Sequence, residues 1–376
     1  LSFGQTIIDQ PKISVNLKDQ PVSESRSVGV SKSNPAKAGY LALVMDVAVN
    51  DGNFKLTDSK AQTVELSQIN SKLSLRPPGR QTDFDINMAV VNSKAQKSQI
   101  HAEGKITPDK AIRGWSLKGT TGDLIVEVND LDLESLGSIL ELAKIDVQAK
   151  GMVSADINAV IKDGNFENLT GSIKAKNLDV TGPVLNGDNL KTNLLNVDVK
   201  LKSQKQLINI EQFQFNSDWR VAQAGGMVPT TFESLSDFLT SESDVSLNAD
   251  FELNAAAALS QMPHTFGIKE EMKVTSGKLS GNITANRGKL NSQINLNDLA
   301  GTIEGKKLAL SEPVTGKLQI STDKKKIRFD ELDVSASFAR INASGFLEQL
   351  KYDGYVDLEK LQSEFGQFVD LGKYEI

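Results

Sequence analysis

Residues 245–253 read VSLNADFEL, and apolar side chains occupy every second position: Val245, Leu247, Ala249, Phe251 and Leu253. Residues 84–90 repeat the pattern with Phe84, Ile86, Met88 and Val90. An alternation of period two is typical of a β strand with one apolar face and one face in water. Most of the chain follows this pattern, which predicts a mainly β fold.

Short polar runs separate the alternating segments. Residues 50–53 (NDGN) and 162–165 (KDGN) combine Asn, Asp and Gly and predict hairpin turns. Helical periodicity is confined to residues 131–142, 232–239, 254–261 and 358–369. The sequence therefore predicts antiparallel β meanders with a few short helices.

The chain repeats itself at long range. Residues 171–180 resemble residues 301–310, and Pro183 and Pro313 follow at the same offset. The next alternating strand carries Ile208, Ile210, Phe213 and Phe215 in one copy, and Ile327, Phe329, Leu332 and Val334 in the other. A partial third copy begins at residues 51–54. One-faced strands of this kind must stack on neighbours, close on themselves, or hold something apolar.

These repeats predict four segments. Residues 1–38 form an N-terminal strand pair and a mobile loop, the loop covering the Ser-rich residues 21–38. Residues 39–150, 151–243 and 244–376 form the first, second and third β-repeat units. Each unit contains several meandering strands and ends with a short helix.

Charge and composition exclude several functions. The net charge is −6 with both signs mixed, which argues against nucleic acid as a partner. The densest basic run is Lys324, Lys325, Lys326 and Arg328; it predicts a solvated hairpin turn, with contact to anionic lipid headgroups as the alternative. The chain has no cysteine, so disulfides and thiolate chemistry are excluded.

Candidate catalytic and metal-ligating residues are few. His101 and His264 lie in no known catalytic pairing, and no cofactor-binding fingerprint is present, so we predict a non-enzymatic protein without a cofactor. The acidic residues 130, 132 and 134 precede a helix and predict capping, with a calcium site as the alternative. A carbohydrate-active protein is a further alternative, although Trp115 and Trp219 are the only tryptophans.

The sequence also bears on location. No stretch reaches the ~20 apolar residues that span a bilayer. No signal peptide is visible, and the chain opens at Leu1 without Met, which we interpret as a fragment of a longer protein. The absence of cysteine fits a periplasmic or surface location.

Three motifs resemble the AsmA-like family of bacterial envelope proteins. They are residues 7–15 (IIDQPKISV), a strand pair; residues 47–54 (VAVNDGNF), a hairpin; and residues 356–361 (VDLEKL), a closing helix. The resemblance implies an elongated, curved sheet that forms a groove with an apolar inner face. It also implies a periplasmic protein, anchored to the inner membrane outside this fragment, that takes part in phospholipid passage or outer-membrane assembly.

Two functions compete on this basis. In the first, alternating strands present an open apolar groove that binds or conducts phospholipid or another acyl-chain lipid. In the second, a structural or adhesive β-repeat scaffold has a dry core and binds other envelope proteins. The candidate groove residues are Ile86, Met88, Val90, Ile173, Ile210, Phe213, Phe215, Val245, Leu247, Phe251, Ile303, Ile327, Phe329 and Val334.

Overall fold

A computed structural model describes residues 2–16, 44–58, 63–92, 95–110, 118–204, 206–231, 238–239, 245–323 and 326–369. The chain forms two compact units, residues 1–173 and 174–376. The prediction of a mainly β fold of antiparallel meanders with a few short helices is confirmed. The predicted loop at 21–38 lies outside the described residues. The predicted division at residues 39, 151 and 244 follows the sequence repeat and stays a prediction.

Unit 1 is a meander in which neighbours in sequence are neighbours in the sheet. Strands β3 to β8 each pair antiparallel with the next. The strands are β1 Ser2–Asp9, β2 Lys12–Asn16, β3 Val44–Thr57, β4 Thr63–Leu75, β5 Thr82–Val91, β6 Lys97–Thr107, β7 Thr121–Asp132 and β8 Gln148–Lys162. Strand β9, Asn165–Thr181, contains the boundary between the units. A 3₁₀ turn, Leu133–Leu136, and helix α1, Gly137–Leu142, connect β7 to β8.

The N-terminal strands differ from the prediction. β1 and β2 do not form a hairpin with each other; they follow one another along β3, both parallel to it, with Ile8 opposite Val49 and Ile13 opposite Phe54. Their edge position needs no turn between them, only the short link at Gln10 and Pro11. The predicted strand pair is therefore one interrupted edge strand.

One predicted turn is wrong and the other is confirmed. β3 runs straight through residues 50–53, because β4 pairs with it on both sides of Gly52. The extra residues are absorbed as a β-bulge in which Asp51 has φ 50°. By contrast, Asp163 and Gly164 connect β8 to β9 with φ of 51° and 81°, both positive as a two-residue type I′ hairpin requires.

Unit 2 is also an antiparallel meander. Consecutive strands pair antiparallel, except that β15 pairs with both the short β16 and β17. The strands are β10 Asn189–Gln204, β11 Leu207–Ser217, β12 Arg220–Pro229, β13 Ser246–Asn254, β14 Met272–Asn286, β15 Lys289–Ile303, β16 Lys306–Ala309, β17 Val314–Asp323, β18 Lys326–Ala336, β19 Ala339–Phe346 and β20 Gln349–Val356. The helices are a 3₁₀ turn at Pro183–Leu185, α2 at Ala255–Gln261, and α3 at Leu358–Lys360, which continues as a π-helical turn at Leu361–Phe365.

Side-chain caps begin the predicted short helices. The carboxylate of Asp132 accepts a hydrogen bond from the Glu134 amide (3.1 Å), the side chain of Asn254 from the Ala257 amide (3.1 Å), and Asp357 from the Lys360 amide (2.9 Å). Such caps satisfy amides that have no partner within the helix. Of the helix predicted at 232–239, only Phe238 and Leu239 belong to the described residues, and both are helical.

Matching β-bulges explain why the alternation breaks at the same point of each repeat. No residue of β10 is directly opposite Glu211 in the strand register, and no residue of β17 is directly opposite Asp330. Each bulge brings residues three positions apart, Ile210 with Phe213 and Phe329 with Leu332, onto one face of the sheet. Sequence similarity between these two strands therefore reflects a shared local geometry.

The buried core is divided into clusters at the ends of the strands. In unit 1, Leu56, Val64, Val90 and Leu131 pack with residues of α1. In unit 2, one cluster lies beneath α2 and Phe368, and another packs around Phe238 and Leu239. Most remaining apolar strand residues are half-buried.

Candidate functional site

The strand register places apolar residues of unit 2 in continuous rows, because directly opposed residues of antiparallel strands share one face. The first row is Val197, Phe215, Ala222, Phe251, Gly281, Ile294, Gly316, Val334, Ile341 and Gly354. The second is Val199, Phe213, Ala224, Ala249, Ile283, Ser292, Leu318, Leu332, Ala343 and Tyr352. The third is Leu201, Ile210, Gly226, Leu247, Ala285, Leu290, Ile320, Phe329, Gly345 and Leu350. We call these rows the apolar face of unit 2.

The other face of the same sheet is polar. The row next to the first one is Asp198, Gln214, Gln223, Asp250, Asn282, Gln293, Lys317, Asp333, Asn342 and Asp353. Every member carries a charge or an amide. The contrast between the two faces persists across ten strands, so it is a property of the whole sheet and not of one hairpin.

The cover over the apolar face is uneven. Its third row is packed by Phe238 and Leu239, and Ala285 and Ile320 are each 3% exposed there. In the first row, Ile294 is 43% exposed and Ile341 is 37% exposed. The first two rows thus lie between the two clusters of unit 2 and are only partly screened from solvent.

An apolar cavity of about 540 Å³ borders the first row. Its sheet wall is Leu253, Leu279 and Leu296, which form the next row on the same face. Its other walls come from α2 and from the chain after α3, and the remaining lining residues are Ala255, Leu259, Phe266, Ile268, Leu299, Phe365, Phe368 and Val369. All lining residues are apolar, and the volume falls in the range of ~300–1,000 Å³ typical of small-ligand pockets.

Hydrogen bonds hold the walls of this cavity in place. The Lys269 amide donates to the Phe368 carbonyl (3.1 Å), and the Lys269 ammonium donates to the Gly366 carbonyl (2.6 Å). Glu364 accepts from the Ser311 amide (3.2 Å) and from the Ser337 hydroxyl. Burial raises the pKa of Glu364, but these hydrogen bonds outweigh it and the net pKa lies below the ordinary value. The carboxylate is therefore charged and fixes the segment after α3 against the sheet.

The loop after α2 is held by a second carboxylate, which is buried. Asp188 is 3% exposed and accepts hydrogen bonds from the amides of His264 (2.9 Å) and Thr265 (2.8 Å). Burial raises its pKa, yet the hydrogen bonds together lower it below the ordinary value. This contact positions the neighbouring Phe266, which lines the cavity.

Unit 1 has an apolar face of the same kind. Its rows are Val47, Leu73, Phe84, Gly104, Leu124 and Ala159; Val49, Ser71, Ile86, Ala102, Val126 and Ile157; and Met88, Ile100, Val128 and Ala155. Leu136 and Ile139, beside and within α1, pack against the cluster at one end of these rows. The other rows are half-buried, as in unit 2.

The predicted groove residues lie mostly on these faces. Ile86 and Met88 belong to the face of unit 1, whereas Val90 is buried, 1% exposed, in the cluster beside α1. Ile210, Phe213, Phe215, Leu247, Phe251, Phe329 and Val334 belong to the face of unit 2, and of these Leu247 and Phe329 pack against the cluster around Phe238. Val245 and Ile327 belong to the cluster around Phe238, and Ile303 packs against the cluster beneath α2. Ile173 lies half-buried in β9 at the boundary of the units. The sequence thus identified the apolar face but not which parts of it are covered.

The cavity was missed at the sequence level. Leu253 belongs to the alternating stretch, and Phe365 and Phe368 belong to the helical pattern. The sequence therefore placed each of these residues in a strand or a helix, but did not bring them together. Their meeting depends on the bridge between Ile268 and Val369, which lie 101 positions apart. No local pattern signals such a contact.

The other candidate residues make local contacts. His101 lies on the polar face, 4.0 Å from the Asp85 carboxylate and 3.8 Å from that of Glu103. Trp219 is buried and donates its indole N–H to the Lys191 carbonyl (3.2 Å); Trp115 lies outside the described residues. Asp130 contacts the Ser154 hydroxyl, and Asp132 caps its helix. Among the described residues, no three His, Asp or Glu side chains are grouped closely enough to hold a metal ion.

Within the described ranges, no helix has both the length and the apolar character needed to cross a bilayer. Comparison with family models, curated proteins and solved structures finds no match to this chain. The resemblance to the AsmA-like family therefore stays a prediction.

Proposed function

We propose that this protein is a non-enzymatic lipid-binding protein that holds acyl chains on the apolar faces of its sheets. The observation that carries the proposal is the first and second rows of the apolar face of unit 2, which continue from β10 to β20 and lie between two packed clusters. Ile294 and Ile341 in these rows are exposed. Large contiguous apolar surfaces of this kind are rare on soluble monomers unless they bind something.

The energetics favour a hydrocarbon ligand. Burying one methylene group contributes ~0.8 kcal/mol. About ten buried methylenes would supply ~8 kcal/mol, from which the costs of association must be subtracted, so the net affinity is weaker than the micromolar dissociation constant that ~8 kcal/mol alone would give. Apart from the hydroxyls of Ser292 and Tyr352, the three rows contain no charged side chain and no side-chain hydrogen-bond donor, and an acyl chain requires neither.

The cavity beside the first row supports the same proposal. A chain lying along the rows would have an apolar end-pocket in the space between Leu296 and Phe368. Because this pocket shares the face of the rows, one ligand would contact both. The pocket thus gives the proposed site an apolar end in unit 2.

The biological setting belongs to the proposal and rests on the resemblance alone. It comprises phospholipid as the ligand, passage of lipid for outer-membrane assembly, a periplasmic location, and an inner-membrane anchor in a segment beyond the given sequence. The scaffold alternative has its own support, since three packed clusters resemble the separate cores of a β array.

A photo-crosslinking experiment distinguishes the two. An ultraviolet-activated amino acid is placed at Phe213 in the second row, and in a matched variant at Gln214, which faces the opposite side. After irradiation in cells or with phospholipid vesicles, we expect lipid adducts at 213 and not at 214, detected by mass spectrometry. Equal labelling at both positions, or none at either with no lipid extracted from the protein, would favour the scaffold.

A further inference from the structure

Strand β20 is an exposed edge with apolar side chains. All of its residues from Gln349 to Val356 are exposed, and in the part of the chain that the structure describes it pairs with β19 alone. Tyr352 is 81% exposed and Tyr355 is 60% exposed. An edge strand of this length offers unpaired backbone groups on which another strand can pair.

The charges on β20 are arranged around a centre. Lys351 and Asp353 flank Tyr352 and point to the polar face, whereas Tyr352 itself belongs to the apolar face. Their neighbours on β19 are uncharged, with Ser344 opposite Lys351 and Asn342 opposite Asp353. Among the described residues neither charge forms an ion pair, so both are available to a partner.

We propose that β20 pairs antiparallel with β20 of a second copy of the chain, around a two-fold axis at Tyr352. In this register Lys351 of each copy lies opposite Asp353 of the other, which makes two opposite-charge pairs. Tyr352 lies opposite its own counterpart, and Leu350 lies opposite Gly354. Such an interface is self-complementary, as two-fold symmetry requires.

The neighbouring registers are disfavoured because they oppose like charges or place the apolar faces of the two copies on opposite sides. Centring the pair on Lys351 or on Asp353 would place like charges directly opposite each other, which destabilises a strand pair. A register with the axis between two residues would set Tyr352 opposite Asp353 and turn the apolar faces of the two copies to opposite sides. The register at Tyr352 avoids both problems.

This dimer would join the two apolar faces. Each of the three rows ends on β20, at Gly354, Tyr352 and Leu350. In the proposed pairing, each row continues on the same side into the second copy, and the exposed apolar side chains of both edges become covered. The inference concerns association and does not depend on which ligand the face holds.

Charge reversal tests the register. Lys351→Asp alone, or Asp353→Lys alone, creates two like-charge pairs, and we expect each to weaken dimerisation about tenfold or more in sedimentation analysis. An equimolar mixture of the two variants restores opposite charges at both positions and should dimerise like the wild type. The double variant should do so by itself, and Lys307→Asp on β16 should dimerise normally.

Cysteine crosslinking gives a second test that is independent of charge, because the chain contains no cysteine. Tyr352→Cys places two thiols at the axis, where opposed residues approach within ~5 Å, and should form a disulfide-linked dimer on mild oxidation. Leu350→Cys, on the same face and strand, lies opposite Gly354 and should not.

Either of two results overturns the proposal. One is a wild-type chain that stays monomeric at its highest soluble concentration. The other is a dimer that is insensitive to both charge reversals and in which the Tyr352→Cys variant crosslinks no faster than the Leu350→Cys variant, since such a dimer would use another surface. Melting curves of every variant are compared with the wild type at a concentration at which all are monomeric; because β20 is exposed, we expect them to coincide.

Discussion

Phe251 and Gly281 are directly opposed across β13 and β14, and the phenyl ring of Phe251 occupies the space that a Cβ at Gly281 would need. An ideal Cβ there would lie 2.7 Å from the ring Cζ. Unit 1 repeats the arrangement with Phe84 and Gly104, at 2.8 Å. An aromatic ring laid over a cross-strand glycine shields the glycine backbone and stabilises the sheet. Each unit thus contains the same glycine-dependent packing on its apolar face.

Alanine at Gly281 should therefore destabilise the protein. The added methyl group collides with the ring and with the Gln293 carbonyl, which cannot move independently of the strand. We expect a loss of ~1–3 kcal/mol in the free energy of unfolding, measured by chemical denaturation. Gly316 is the matched control, since it lies in the same row and a Cβ there meets nothing within 4 Å. An equal loss from Gly316→Ala would contradict this explanation.

A larger side chain at Gly316 should obstruct ligand binding without unfolding the chain. Gly316→Phe projects a ring from the first row into open space and displaces hydrocarbon from it. Displacing two methylenes would lower the affinity for a fluorescent fatty acid about tenfold. Gln319→Phe places the same ring on the opposite face and should leave the affinity unchanged. Equal binding by both variants would place the ligand elsewhere.

A charged substitution should unfold the protein in a covered row of the apolar face but not in an open row. Phe329 packs in the cluster around Phe238, so Phe329→Asp buries an unpaired charge and should cost several kcal/mol of stability. Phe215 lies in the first row beside Arg220, whose guanidinium carbon is 5.0 Å from the ring centroid. Phe215→Asp should therefore keep its fold while losing bound lipid. Circular dichroism and lipid extraction are measured on both variants; unfolding of Phe215→Asp would indicate a sealed core.

The Asp188 contact should make stability depend on pH. Its pKa is lowered in the folded protein because hydrogen bonds from His264 and Thr265 outweigh burial. A lowered folded pKa gives stability that is complete above the unfolded-state pKa and is lost as the pH falls through the folded one. Asp188→Asn should thus cost ~1–3 kcal/mol at neutral pH and progressively less below pH ~4. A difference that stays constant from pH ~7 to pH ~3 would contradict the assignment.

The bulge at Asp298 should respond to residue shape. Asp298 has a positive φ of 53°, which places Leu296 and Leu299 on the same face although they are three positions apart. Glycine adopts this conformation without strain, whereas a β-branched residue is penalised by ~1–2 kcal/mol. We expect Asp298→Val to lower the melting temperature and Asp298→Gly to preserve or raise it. Equal melting temperatures would show that the bulge tolerates any residue.

The sequence predicted what depends on local pattern. Alternation identified the strands and the apolar face, as in the stretch from Val245 to Leu253, and the acidic residues before the first helix predicted the cap that Asp132 forms. It failed at Asp51 and Gly52, because the same residue types form a turn or a bulge according to whether a neighbouring strand pairs on both sides.

Long-range features could not be read from the sequence. The parallel pairing of Ile8 with Val49 depends on which edge is free, and the cavity depends on residues near Ile268 and Val369 meeting across the unit. Alternation also gives the same pattern for a covered face and an open one. Only the positions of Phe238 and Phe368 reveal which rows are covered.

The bridge between Ile268 and Val369 has a consequence for the order of folding. Nearly all strand pairings in unit 2 join strands adjacent in sequence, so each hairpin can form as soon as its second strand is available, at a small entropic cost of loop closure. The wall formed by Phe365 and Phe368 must wait until the intervening strands are in place. We therefore expect the cavity to be completed last, so that a chain arrested just before this step would have its sheet formed but Leu296 and Leu299 still in water.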